Sequence, residues 1–156
     1  MDATTGVDAQ QREREITVTR LFDAPRQLVF QAWTEPDRVA RWLGPPGFVI
    51  AYCTMDVRPG GAFRLCLRSP SGAEYWRQGV YREVVAPERL VYTFVWSDAA
   101  GKPHYETLVT VTFDERGDKT ELTLHQSIFK SVAARDEHQG DWSKELQRFA
   151  EYLANN

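Results

Sequence analysis

Asp23-Ala24-Pro25-Arg26-Gln27-Leu28-Val29-Phe30-Gln31-Ala32-Trp33-Thr34-Glu35-Pro36, followed at 42 to 46 by Trp42-Leu43-Gly44-Pro45-Pro46, is the stretch on which the fold turns. Proline lacks the backbone N–H that a helix interior needs, and its fixed φ suits the first helical turn. Pro25 and Pro36 therefore mark two helix starts, and Gly44-Pro45-Pro46 marks a stop. From Pro25 the apolar residues Leu28, Val29, Ala32 and Trp33 fall at i, i+1, i+4 and i+5, one side of a helix. Val39, Trp42 and Leu43 repeat the habit after Pro36. Two short helices in succession are expected.

Upstream, Ile16, Val18 and Arg20 alternate with Thr17, Thr19 and Leu21, a strand with an apolar face at its start. Met1 to Arg14 has almost nothing to bury and reads as a disordered leader, with the single ordered domain over 15–156. Downstream, five turn clusters separate six apolar or alternating runs. They are Pro59-Gly60-Gly61, Ser69-Pro70-Ser71-Gly72, Ala86-Pro87-Glu88, Asp98-Ala99-Ala100-Gly101 and Asp114-Glu115-Arg116-Gly117-Asp118. Connections this short join antiparallel neighbours, so the runs form a meander. Parity buries Phe63, Leu65 and Leu67; Leu90, Tyr92, Phe94 and Trp96; Val109, Val111 and Phe113; Leu122 and Leu124. The strand Glu74 to Val85 defeats this test. Tyr75, Arg77, Gly79, Tyr81 and Glu83 share one side, and Trp76, Gln78, Val80, Arg82 and Val84 share the other.

In the last segment, Asp141 to Leu153, Trp142, Leu146, Phe149 and Leu153 fall at i, i+4, i+7 and i+11, with Lys144, Glu145, Gln147, Arg148 and Glu151 elsewhere on the wheel. Asp141, after Gly140, reads as its N-cap, and Ser131 as the cap of a shorter helix reaching His138. Burying the four stripe residues would stabilise by roughly 6 to 12 kcal/mol before entropy is subtracted, enough to dock the helix on the sheet. A sheet with one apolar face needs a cover, and this helix is the long amphipathic element available. The expected fold class is α+β, a helix-grip. Its order is a strand, two short helices, a six-strand antiparallel meander and a long C-terminal helix packed on the concave sheet.

The block 23–47, with Pro59-Gly60-Gly61 and Gly140-Asp141-Trp142, resembles the Hsp90 ATPase activator homologue family (Aha1 C-terminal-like) of the START-related, SRPBCC superfamily, over about Ile16 to Leu153. The resemblance implies the same START/Bet v 1-like helix-grip order, with an elongated cavity enclosed by the sheet, the small helices and the long helix. It implies relatives that include polyketide cyclases and, by the family's name, an Hsp90 contact. Full-length co-chaperones of that kind carry an additional N-terminal domain, whereas Met1 to Arg14 alone precedes the first strand here.

A chain of 156 residues, 42% hydrophobic and 26% charged, is long enough for one sizeable core. Its net charge of -3 offers no broad attraction for nucleic acid, which is set aside as a partner. No apolar run approaches the ~20 residues that cross a bilayer, and Met1 to Gln10 lacks the regions of a signal peptide, so a cytoplasmic protein without membrane insertion is expected. Cys53 and Cys66 read as free thiols, Cys53 as a small core hydrophobe and Cys66 as facing away from Leu65 and Leu67. His104, His125 and His138 have no metal-ligand spacing, and neither a metal nor a cofactor is expected.

Five tryptophans, at 33, 42, 76, 96 and 142, lie in elements expected to converge, which permits either an aromatic-lined pocket or ordinary core. The expected lining is Trp42, Met55, Phe63, Leu65, Trp76, Gln78, Phe94, Trp96, Thr107, Val109, Gln126, Trp142, Leu146 and Phe149. Arg77 replaces Gln78 if the other face of strand 74–85 turns inward. Glu106 serves as a general base only if buried beside a partner, and no Ser or Cys stands in a nucleophile elbow. The function these residues point to is binding of a small hydrophobic or aromatic molecule between curved sheet and C-terminal helix. The alternatives are an enzyme of the polyketide cyclase type and an Hsp90 co-chaperone-like protein.

Overall fold

Strand β1 (Ile16–Phe22) leads through Asp23-Ala24-Pro25 into α1 (Arg26–Thr34) and α2 (Pro36–Val39) in the computed structural model, which describes residues 12–97 and 105–155. Pro25 holds the extended N-cap position of α1, and its carbonyl accepts the first helical bond, from Val29 N at 3.1 Å. A residue ahead of proline is pushed out of the helical region. Glu35 accordingly sits at φ -100° and ψ 123°, closing α1 by donating its N–H to Gln31 O and letting Pro36 start α2. α1 buries Val29, Phe30, Ala32 and Trp33. Phe30 joins the buried set, its ring meeting Phe113 edge-on at 5.3 Å, while Leu28 packs half-buried against the same core.

Six further strands follow: β2 (Val49–Met55), β3 (Ala62–Arg68), β4 (Glu74–Val85), β5 (Arg89–Ser97), β6 (Thr107–Arg116) and β7 (Lys119–Ser127). The sheet order is β1-β7-β6-β5-β4-β3-β2, antiparallel throughout, so the meander of six is extended by the first strand pairing with the last. The expected turn at Asp98 to Gly101 lies outside the described residues, as does the leader from 1 to 11. Arg12 and Glu13 form a helical turn, and Arg14 O accepts from Phe129 N at 2.8 Å.

The C-terminal helix α3 runs unbroken from Val132 to Ala154, capped by Ser131, whose hydroxyl accepts from Ala134 N at 3.1 Å. The separate start expected at Asp141 is corrected: Gly140 lies inside the helix. Glycine there costs about 1 kcal/mol relative to alanine, far less than docking the stripe on the sheet returns. The stripe packs around Trp33. Its ring lies 4.8 Å from Trp42, 5.5 Å from Phe149 and 6.2 Å from both Phe113 and Trp142, so α1, the segment after α2, β6 and α3 meet at one side chain.

β4 turns Arg77 and Tyr81 inward and Gln78 and Val80 to solvent. Gly79 explains how the strand packs so closely. Opposite Phe63 in register, it leaves room where a Cβ would lie 2.7 Å from Phe63 Cε2 and collide with the carbonyl oxygen of Thr93. A backbone carbonyl yields less readily than a side chain, so Gly79→Ala is expected to destabilise by about 1–3 kcal/mol in urea unfolding. An unchanged midpoint would show that β4 and β5 have slack.

Candidate functional site

Glu145 looks like a solvent-facing residue on the helical wheel of α3, yet it is 1% exposed. The reason is Arg77. Its two terminal nitrogens reach Glu145 Oε1 and Oε2 at 2.8 Å each, a bidentate pair joining the middle of β4 to the middle of α3. Such a fork satisfies geometry and charge together. Burial pulls the Arg77 guanidinium down, but the charge and hydrogen bonds of Glu145 outweigh it and leave Arg77 above its ordinary value. Glu145 Oε1 also accepts from Gly44 N at 3.2 Å. One turn on, Arg148 donates to the carbonyls of Gly44 at 2.8 Å and Pro45 at 2.9 Å. The loop at Gly44-Pro45 is thereby tied to α3.

A second polar chain anchors the helix nearer its start. Trp142 Nε1 donates to Gln126 Oε1 at 2.8 Å, Gln126 Nε2 to Thr107 Oγ1 at 2.8 Å, and Thr107 Oγ1 to Phe94 O at 3.2 Å. Gln126 and Thr107 are therefore buried with each polar group partnered, as burial requires.

Between these anchors lies a cavity of about 360 Å³, lined by Pro45, Phe48, Leu67, Tyr75, Trp76, Arg77, Phe94, Trp96, Glu137, His138, Asp141, Trp142 and Glu145. A smaller one of about 40 Å³ is lined by Trp33, Val39, Trp42, Leu43, Met55, Phe63, Leu65, Arg77, Tyr81, Tyr92, Phe94 and Trp142. Arg77, Phe94 and Trp142 line both and form the partition. Burial pushes Tyr92 up to about 12 and Tyr81 further up, so both phenols stay neutral beside the small cavity. At the rim of the large one, burial and the nearby Glu145 charge hold the Asp141 carboxyl above the usual range, against lowering by His138 and Arg77.

The expected lining residues separate into three groups. Trp76, Phe94, Trp96 and Trp142 border the larger cavity, and Trp42, Met55, Phe63 and Leu65 the smaller. Thr107, Val109, Gln126, Leu146 and Phe149 border neither; they are packed core. Gln78 points out of the sheet, exposed, and Arg77 holds the inner position. The Trp76 ring is engaged from the outer face by Arg64 at 3.9 Å and Tyr52 at 5.8 Å. Sequence reasoning missed Glu145, Asp141, His138, Tyr75 and Phe48. A signal for Glu145 existed: it lies three residues from Trp142 and four from Phe149, on the flank of the apolar stripe.

Glu106 is exposed ahead of β6, as a solvated carboxylate. Burial raises both thiols, Cys53 to about 11, so neither is a thiolate nucleophile at neutral pH. Cys66 does face away from Leu65 and Leu67, but it is buried there, opposite Tyr52 and Trp76 in register. Among the described residues no three His, Cys, Asp or Glu side chains come together to hold a metal ion. Nor is any helix long and apolar enough to cross a membrane.

Removing one member of a buried ion pair strands the other, which costs about 3–5 kcal/mol, whereas replacing both with apolar residues is often near neutral. Glu145→Ala should lose that much in urea unfolding, and the double variant Arg77→Met with Glu145→Leu should recover most of it. A double variant no better than Glu145→Ala would mean that the pair is not a self-contained unit. For Asp141 the raised folded-state pKa means that ionisation at neutral pH works against folding, an effect that vanishes as pH falls and both states protonate. Asp141→Asn is thus expected to melt no lower than the parent at pH 7, with the difference closing toward pH 3.

The same backbone recurs in solved structures. A protein from Chromobacterium violaceum aligns at 27% identity over 88% of this chain and 96% of its own, with a TM-score of 0.77. An AHSA1 protein from Silicibacter pomeroyi aligns at 20% over 90% and 97%, TM-score 0.80, and a protein from Nitrosomonas europaea at 23% over 92% and 96%, TM-score 0.77. None of the curated proteins matches the sequence. The helix-grip order and a family model described as activator of Hsp90 ATPase homolog 1-like protein, matching residues 23–154, agree, and the chain belongs to that family.

Proposed function

We propose that this protein binds a small aromatic or other apolar molecule in the larger cavity. The observation that carries the reading is the cavity wall: Phe48, Leu67, Tyr75, Phe94, Trp96 and Trp142 surround about 360 Å³ of space, with the Arg77–Glu145 pair beside them. Ligand pockets of about 300–1,000 Å³ combine apolar walls with a few placed polar groups, and this one lies at the small end of that range. Its size favours a compact ring system over a long-chain lipid. Family membership supports ligand binding in general terms and brings a second reading, contact with Hsp90. Stimulation of purified Hsp90 ATPase by this domain would support that second reading.

Trp96 and Trp142 in the wall make binding visible. Titration with aromatic polyketides, isoprenoids and lipids should change tryptophan fluorescence and raise the melting temperature most for compact aromatic compounds. Phe48→Ala, which removes a half-buried wall ring, should weaken that binding about tenfold, as loss of one ring's buried area would. Silence from every compound, or unaltered affinity in Phe48→Ala, would overturn the proposal.

A further inference from the structure

We propose that the ligand is an aromatic amine, its ring body against the cavity walls and its protonated nitrogen at the rim formed by Glu137, His138 and Asp141. The inference rests on the cavity being the ligand site and concerns the charge of its guest. Arg77 is the cation in the lining, and both its terminal nitrogens are spent on Glu145 at 2.8 Å. That pair presents no net charge. Glu137 and Asp141 remain, and no cation among the described residues is ion-paired with either. His138 Nδ1 lies 2.9 Å from Ala134 O, which can only accept, so the neutral ring carries its proton on Nδ1 and leaves Nε2 as an acceptor.

The rim therefore offers acceptors and negative charge. A protonated amine satisfies both, while a carboxylate guest would meet the half-buried Asp141 and, at the exposed edge, Glu137. The walls agree in sign. Phe48, Tyr75, Phe94, Trp96 and Trp142 line the cavity, and aromatic rings attract cations, as Arg77 over the Phe94 ring at 5.8 Å already does. The upward displacement of the Asp141 carboxyl has the same sign: burial and the nearby Glu145 charge raise it more than His138 and Arg77 lower it.

Calorimetric titration at pH 7 with 2-phenylethylamine, 2-phenylethanol and phenylacetate, close to one another in shape and different in charge, tests this directly. The amine should bind about tenfold or more tighter than the alcohol, with phenylacetate weakest. Asp141→Asn, confirmed as folded by its melting curve, should bring the amine down toward the alcohol, and Glu137→Gln should do so by a smaller factor. Equal binding of amine and alcohol, preference for phenylacetate, or a preference that survives both substitutions would overturn the assignment of charge while leaving the cavity as a site. If no aromatic compound of any charge binds, the ligand-site reading fails and this inference fails with it.

Discussion

The bidentate contact between Arg77 and Glu145 is the constraint from which the rest of the architecture follows. Two charges withdrawn from water are rarely a net source of stability, so their contribution is better sought in what they forbid. Leu146, Phe149 and Leu153 would tolerate some sliding of α3 along the sheet, because apolar contact is non-directional. The ion pair does not tolerate it. A shift by one helical turn, about 5.4 Å, would leave both charges stranded in the interior. Glu145 also holds Gly44 N–H, and Arg148 holds the carbonyls of Gly44 and Pro45, so fixing the helix fixes the loop that supplies Pro45 and Phe48 to the cavity wall.

The hollow arises where α3 changes character. In its C-terminal half, Leu146, Phe149, Tyr152 and Leu153 are buried and leave no space against β1 and the two short helices. Toward its N-terminus, the positions bordering the cavity carry His138 and Asp141, smaller and polar, and Trp142, whose indole N–H is held by Gln126. Among the described residues, large side chains fill the sheet face under one half of the helix, and the larger cavity borders the other half.

Much of this was written in local chemistry. Pro25 and Pro36 set the two helix starts through φ and missing N–H groups, effects that need no tertiary partner, and those starts emerge as expected, whereas α2 already ends at Val39, short of the stop expected at Gly44-Pro45-Pro46. The alternating strands were legible for the same reason: Val109, Val111 and Phe113, or Leu122 and Leu124, face a core on one side only. β4 was not legible, because its inward charge is neutralised by a residue 68 positions away, and parity has no means of pairing Arg77 with Glu145. Parity left Gln78 and Arg77 as alternatives, and the inward place belongs to Arg77. Gly140 misled in the opposite way, reading as a boundary where the helix simply accepts a weak position.

The aromatic residues show why composition alone does not find a site. Trp33 and Trp42 are as aromatic as Trp96 and Trp142, yet Trp33 sits at the meeting point of four rings, and Trp42 spends its N–H on Ala32 O at 2.9 Å. Those indoles are filler, held by neighbours of similar bulk. Trp96 and Trp142 instead border the larger cavity, which the shorter polar side chains of His138 and Asp141 also line. Missing dispersion contacts make such a void costly unless something occupies it. An aromatic wall beside a polar helix half is therefore the arrangement on which the proposed guest rests.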